Sequence, residues 1–118
     1  MSNLSKIFQK SIDVKKEILE SNRLDILKEI GDEIVDSLIN KKKLLLCGNG
    51  GSAADAQHLA AELLIRLKPF NNRDGIPAIA LAQDTSTITA CGNDYGFDLL
   101  FKRVLESIGN EGDSLLCI

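Results

Sequence analysis

At 118 residues the chain fits one domain of ordinary size. Its 44% hydrophobic and 26% charged residues are those of a soluble globular protein and exclude a disordered one. A net charge of -3 argues against a nucleic-acid partner, which needs a basic face, and no apolar run approaches the roughly 20 residues of a membrane span.

Residues 1–41 read as two amphipathic helices. Leu4, Ile7, Phe8, Val14, Ile18 and Leu19 form an imperfect helical stripe, and Leu24, Leu27, Ile30, Ile34 and Leu38 a cleaner one. Ser21-Asn22 breaks the pattern between them. Short helices are marginal alone in water, so both need a partner surface, either the sheet or a second subunit. No apolar core follows the first charges, so no signal peptide is expected. Lys41-Lys42-Lys43 reads as a solvated helix end near the negative helix terminus.

The pattern then changes. Leu44-Leu45-Leu46-Cys47 is a continuous apolar run, as in a parallel strand buried on both faces. Gly48-Asn49-Gly50-Gly51-Ser52 ends it, and a helix is expected over 53–67, stopped by Pro69 and Asn71-Asn72. Residues 76–82 and 115–118 read as two more strands, and Phe97, Leu100, Phe101, Val104 and Ile108 mark a helix closed by Gly109. Strands alternating with helices predict an α/β fold: a parallel sheet flanked by helices, preceded by two N-terminal helices. The expected organisation is one domain, with helices over 1–41 and a partial α/β sandwich over 42–118. Because the last residues form an apolar strand without a following crossover helix, the sheet is expected to be incomplete. Cys47, Cys91 and Cys117 are odd in number and widely spaced, and read as small buried hydrophobes in a reducing cytoplasm rather than a disulfide framework or cysteine zinc site.

Three segments carry chemistry. In the first, Gly48, Gly50 and Gly51 let backbone amides approach an oxyanion or a sugar hydroxyl, with Ser52 as helix N-cap. The same residues suit a plain tight turn. They also satisfy a relaxed dinucleotide fingerprint, but the candidate ribose acid, Asp84, lies 31 residues after Ala53. That is too far for a compact unit, in which about 20 residues are usual. In the second segment, Asp55, His58, Glu62 and Arg66 share one helix face opposite Ala56, Leu59, Ala60, Leu63 and Leu67. His58 and Glu62, four apart, can converge on one divalent ion such as zinc or serve proton transfer. The same stripe suits an exposed polar face with a Glu62–Arg66 pair, although Ala61 and Ile65 beside it favour a cleft or interface. In the third, Asn93 and Asp94 within Gly92-Asn93-Asp94-Tyr95-Gly96 suit sugar hydroxyls, or a turn before a helix.

The string from Cys47 to His58, continued by Leu59-Ala60-Ala61-Glu62-Leu63 and Arg66, resembles the signature of the phosphoheptose isomerases, a group with the sugar-phosphate isomerase (SIS) fold. Residues 77–81, 92–97 and 109–113 are similar in the same order and spacing, so the resemblance covers essentially the whole chain. It implies a flavodoxin-like sheet and a cytoplasmic homotetramer that acts on a sugar-phosphate substrate. The implied reaction interconverts sedoheptulose 7-phosphate and a D-glycero-heptose 7-phosphate, an early step toward lipopolysaccharide heptose. By position, Asn49, Gly50, Gly51 and Ser52 match the substrate loop, Arg66 the signature, and Asn93 and Asp94 a second substrate loop. His58 and Glu62 match zinc ligands, and Glu62 also matches the proton-transferring carboxylate. A related replication-initiation factor shares the glycine loop but lacks the glutamate, so Glu62 favours the enzyme over a non-catalytic sugar-phosphate-binding or protein-binding module. The family continues with a Ser-Thr-Ser-Gly phosphate loop, then a glutamine and a second histidine for the metal. None of these is among the 118 residues, so only two expected zinc ligands are present, and the chain alone is expected to be weak or inactive.

Overall fold

The computed structural model describes residues 2–118. They fall into two compact units, one up to Val35 and one from Asp36 to Ile118.

The first unit is helical. Helix α1 (Asn3–Leu19) starts at Ser2, whose side chain accepts the Ser5 amide proton and satisfies one of the orphan donors of the first turn. The Ser21 hydroxyl donates to the Ile18 carbonyl and accepts from the Arg23 amide, which turns the chain where the break was expected. Helix α2 (Arg23–Ile39) follows and runs into the second unit. No residue of α1 or α2 is buried, and Phe8 is 70% exposed. Amphipathic patterning thus made both helices legible, while their apolar stripes stay largely exposed, with Ile18, Ile34 and Leu38 half-buried.

The second unit is a three-stranded parallel sheet in the order β2-β1-β3, with β1 (Leu44–Cys47), β2 (Ala78–Ala80) and β3 (Ser114–Cys117). Leu44 pairs with Ala78 on one side and Ser114 on the other, and Cys47 with Cys117. All four residues of β1 are buried, as a central strand covered on both faces requires. Leu45 and Leu46 are the largest fully buried side chains, each worth about 2 kcal/mol of hydrophobic stabilisation.

The crossover from β1 to β2 is α3 (Gly51–Leu64), which buries Ala56 and Ala60, small residues that allow close approach to the sheet. The crossover from β2 to β3 comprises α4 (Thr85–Asp94), a 3₁₀ turn (Phe97–Leu99) and α5 (Leu100–Ile108). Phe101, Val104, Leu105 and Ile108 of α5 pack against Leu45, Cys47 and Leu81. Gly109 closes α5 as expected, its amide donating to the Leu105 carbonyl.

Several expectations need correction. Helix α4 was not anticipated: Thr85, Thr87, Ile88 and Thr89 are β-branched and poor helix formers. The helix forms because Asp84 caps it, accepting from the Thr87 amide at 2.7 Å. That amide is the main reason the Asp84 carboxyl lies below its ordinary value. Strand β2 is three residues long rather than 76–82, since Ala82 turns the chain at a φ of 56°. Strand β3 starts one residue early, at Ser114. Lys43 is not solvated: its ammonium pairs with Asp113, and the two side chains are 18% and 5% exposed. Finally, Cys117 is exposed, whereas Cys47 and Cys91 are buried.

Candidate active site

Two features meet around α3. The first is its start, at the carboxyl end of the sheet, where ligands of open α/β folds gather. Gly48 follows β1 directly, and a Cβ there would stand 2.6 Å from the Ser52 Cβ and 2.8 Å from the Ser52 carbonyl, so only glycine fits. The N-cap is Gly50, at a φ of 59°, rather than Ser52, which is the second residue of the helix. No side chain caps α3. Its positive N-terminal end therefore faces the Asn49–Gly50 turn, which suits an anionic or hydroxyl-rich ligand. Asn49 lines a hollow with Cys47, Gly48, Leu81 and Cys117 at the strand ends.

The second feature is the polar face of α3. His58 Nε2 and Glu62 Oε1 lie 3.4 Å apart, with the His58 side chain 73% exposed and that of Glu62 27% exposed. Both line an open cleft of about 540 Å³ whose other walls include Leu44, Leu46, Leu59, Leu63 and Leu116. That volume is within the range of small-ligand pockets, and apolar walls around a few polar groups are their usual composition.

Helix α3 ends at Leu64, before the expected Leu67, so Arg66 lies beyond the helix and off the shared polar face. The cause is Arg73. Its guanidinium donates to the carbonyls of Glu62 at 2.7 Å and Leu63 at 2.8 Å, taking up orphan acceptors of the last turn. The Ile76 amide also donates to Leu63. Arg73 thus fixes the turn that carries Glu62. No sequence pattern marked this residue, since its partners are backbone atoms ten and eleven positions away.

The third segment does not join this site. Gly92, Asn93 and Asp94 form the last turn of α4 rather than a loop. Asn93 donates to the Asp94 carboxylate at 2.7 Å, and Asp94 lines a separate hollow with Tyr95 and Arg103. The Arg103 guanidinium stacks 3.6 Å from the centre of the Tyr95 ring. Among the described residues no group of three or more His, Cys, Asp or Glu side chains is placed to hold a metal ion. No helix of those residues is long and apolar enough to cross a membrane.

A helix launched from a glycine turn at the sheet's carboxyl edge, carrying a converging histidine and glutamate, invites comparison with known proteins. Residues 7–118 match the family model described as SIS domain. The chain belongs to the SIS domain family. Among SIS-domain relatives it is 52% identical over 101 residues to a phosphoheptose isomerase of Chlorobaculum parvum, covering 86% of this chain and 48% of the relative. With a phosphoheptose isomerase of Nitratiruptor it shares 46% identity over 116 residues, covering 89% of this chain and 60% of that protein. Among solved structures, phosphoheptose isomerase GmhA from Neisseria gonorrhoeae matches with a TM-score of 0.84 and 38% identity, over 97% of this chain and 57% of that one. A phosphoheptose isomerase from Francisella tularensis matches with a TM-score of 0.85 and 40% identity, over 99% and 61%. The SIS domain described here thus spans about half to three fifths of the length of these relatives.

Proposed function

We propose that the protein carrying this SIS domain interconverts sedoheptulose 7-phosphate and D-glycero-D-manno-heptose 7-phosphate in the cytoplasm, supplying heptose for surface polysaccharide. One observation carries the reading. His58 Nε2 and Glu62 Oε1 converge to 3.4 Å on the wall of a ligand-sized cleft. The 46–52% identity with proteins named phosphoheptose isomerase supports it.

The chemistry is a proton shift between neighbouring carbons. Glu62 takes a proton from C1 of the ketose, leaving an enediol, and returns it to C2 to give the aldose. The hydroxyl proton of O1 is lost as that of O2 is gained. The Glu62 carboxylate is half-buried beside leucine walls but faces an open cleft, so it can trade its proton with solvent before delivering it to C2. Asn49, Gly50, Gly51 and Ser52 bind the sugar phosphate through the amides at the start of α3. Neither these four residues nor Arg66, Asn93 and Asp94 line the cleft of His58 and Glu62. The first four are assigned on their amides and the resemblance, and Arg66, Asn93 and Asp94 on the resemblance alone.

Zinc fits the pair as far as two donors go. Their 3.4 Å separation is close to the edge of a tetrahedron, about 3.3 Å for bonds of 2.0–2.1 Å. A closed site needs further donors from outside the described residues. When held there, the ion supplies Lewis acidity toward a carbonyl oxygen. A homo-oligomer belongs to the same reading, with the largely exposed apolar stripes of α1 and α2 as its contact surface.

The test is turnover of sedoheptulose 7-phosphate by the full-length product of the gene encoding this chain. Glu62→Gln is expected to lower kcat by about 100-fold or more. Equal turnover by both proteins removes Glu62 from the mechanism, and sugar-phosphate binding without any turnover makes the domain a binding module.

A further inference from the structure

Beyond the isomerase reading, and independent of it, the carboxyl edge of the sheet carries a pair of thiols. Cys47 ends β1 and Cys117 ends β3, and the two are direct partners across parallel strands. The register holds past them, since the Ile118 amide donates to the Cys47 carbonyl at 2.9 Å. Their Sγ atoms are 3.5 Å apart and both cysteines are free. Partner residues on adjacent strands are about 4.8 Å apart, inside the Cα separation of about 4.4–6.8 Å that a disulfide spans. Side-chain rotation alone can therefore bring the sulfurs into bonding distance. Both cysteines also line the hollow beside Gly48 and Asn49, where the exposed Cys117 is open to small solutes.

We propose that Cys47 and Cys117 form a reversible intramolecular disulfide when the protein meets a small-molecule disulfide such as oxidised glutathione. The two cysteines differ in access. Cys117 is exposed and Cys47 buried, so Cys117 reacts first. Its thiolate attacks one sulfur of the oxidant, forming a mixed disulfide and releasing one small thiol. Cys47 then attacks the Cys117 sulfur, breaking the mixed bond and releasing the second thiol. The two protein sulfurs lose two electrons in all, and the oxidant gains them as two thiols. The second step is slow at neutral pH, because burial pushes the Cys47 thiol up.

The experiment treats the intact protein with oxidised glutathione and follows it by non-reducing mass spectrometry and peptide mapping. The expected product is the native mass less two hydrogens, a linked Cys47–Cys117 peptide, and full reversal by dithiothreitol. Cys91→Ser leaves the product unchanged, whereas Cys47→Ser stops at the mixed disulfide on Cys117. Closure of that mixed disulfide in the unsubstituted protein accelerates about tenfold per pH unit between about pH 7 and pH 9. A lasting mixed disulfide in the unsubstituted protein, a Cys117-linked dimer, a bond involving Cys91, or no reaction overturns the proposal. Closure that ignores pH overturns the assigned order of attack. Because unsubstituted protein supplies the main readout, a variant that fails to fold does not blur the result.

Discussion

Glu62 owes its position less to its own side chain than to Arg73, which holds the Glu62 and Leu63 carbonyls from outside the helix. Arg73→Ala removes charge-assisted hydrogen bonds of this kind and is expected to cost about 1–2 kcal/mol of stability, read by urea denaturation. In the full-length gene product it is expected to lower kcat more than it raises KM if Glu62 acts as proposed, because a loosened last turn misplaces that carboxylate. Unchanged stability and kcat would show that Arg73 supports nothing at the site. At this scale the sequence was legible where spacing decides the geometry. The four-residue step puts His58 beside Glu62 whatever surrounds them, and Gly48 and Gly50 stand where a close approach and a positive φ are needed. It was silent where a distant side chain meets backbone, as with Arg73. It misled at Ser52, since a glycine already occupied the cap.

At the scale of elements, the start of β1 is tied to the start of β3 through Lys43 and Asp113. Burial opposes ionisation of Asp113. The Lys43 ammonium and the Lys43 and Asn110 amides outweigh it and hold the carboxyl down at about 2. A carboxyl with a depressed folded value contributes stability that is fully present above its unfolded value, about 3.9. The contribution is lost as pH falls through the folded value. Acid unfolding followed by circular dichroism is therefore expected to show stability falling between about pH 4 and pH 2, with a shallower fall in that window for Asp113→Asn. At neutral pH the same variant loses about 2 kcal/mol, since Lys43 is left without its acceptor. Identical acid profiles would contradict the assignment. The buried β1 and the Gly109 end of α5 were readable from the sequence, because an apolar run and a terminal glycine report burial and termination directly. Helix α4 was not, because its threonines oppose a helix and only Asp84 and the packing of the crossover favour one.

At the scale of the whole molecule, the chain divides into a helical unit with largely exposed apolar stripes and an α/β unit whose apolar-walled cleft carries His58 and Glu62. The sequence carried the fold class, because strand–helix alternation and the glycine turn together leave few topologies. It could not say what covers α1 and α2, since an amphipathic stripe specifies a partner's chemistry and not its identity. If the stripes join copies of the chain, the protein sediments as an oligomer, and Phe8→Asp shifts it toward the monomer without changing its circular dichroism. Sedimentation of the unsubstituted protein as a monomer contradicts that part of the reading.

The most direct test of the central claim is solvent exchange, followed by NMR, with sedoheptulose 7-phosphate and the full-length gene product in deuterated water. Because the protonated Glu62 on its open cleft exchanges with solvent before it delivers the proton, transfer at Glu62 predicts deuterium at C2 of the aldose and at C1 of the recovered ketose, and none at either carbon with Glu62→Gln. Undiminished deuterium entry in that variant would mean that another group moves the proton.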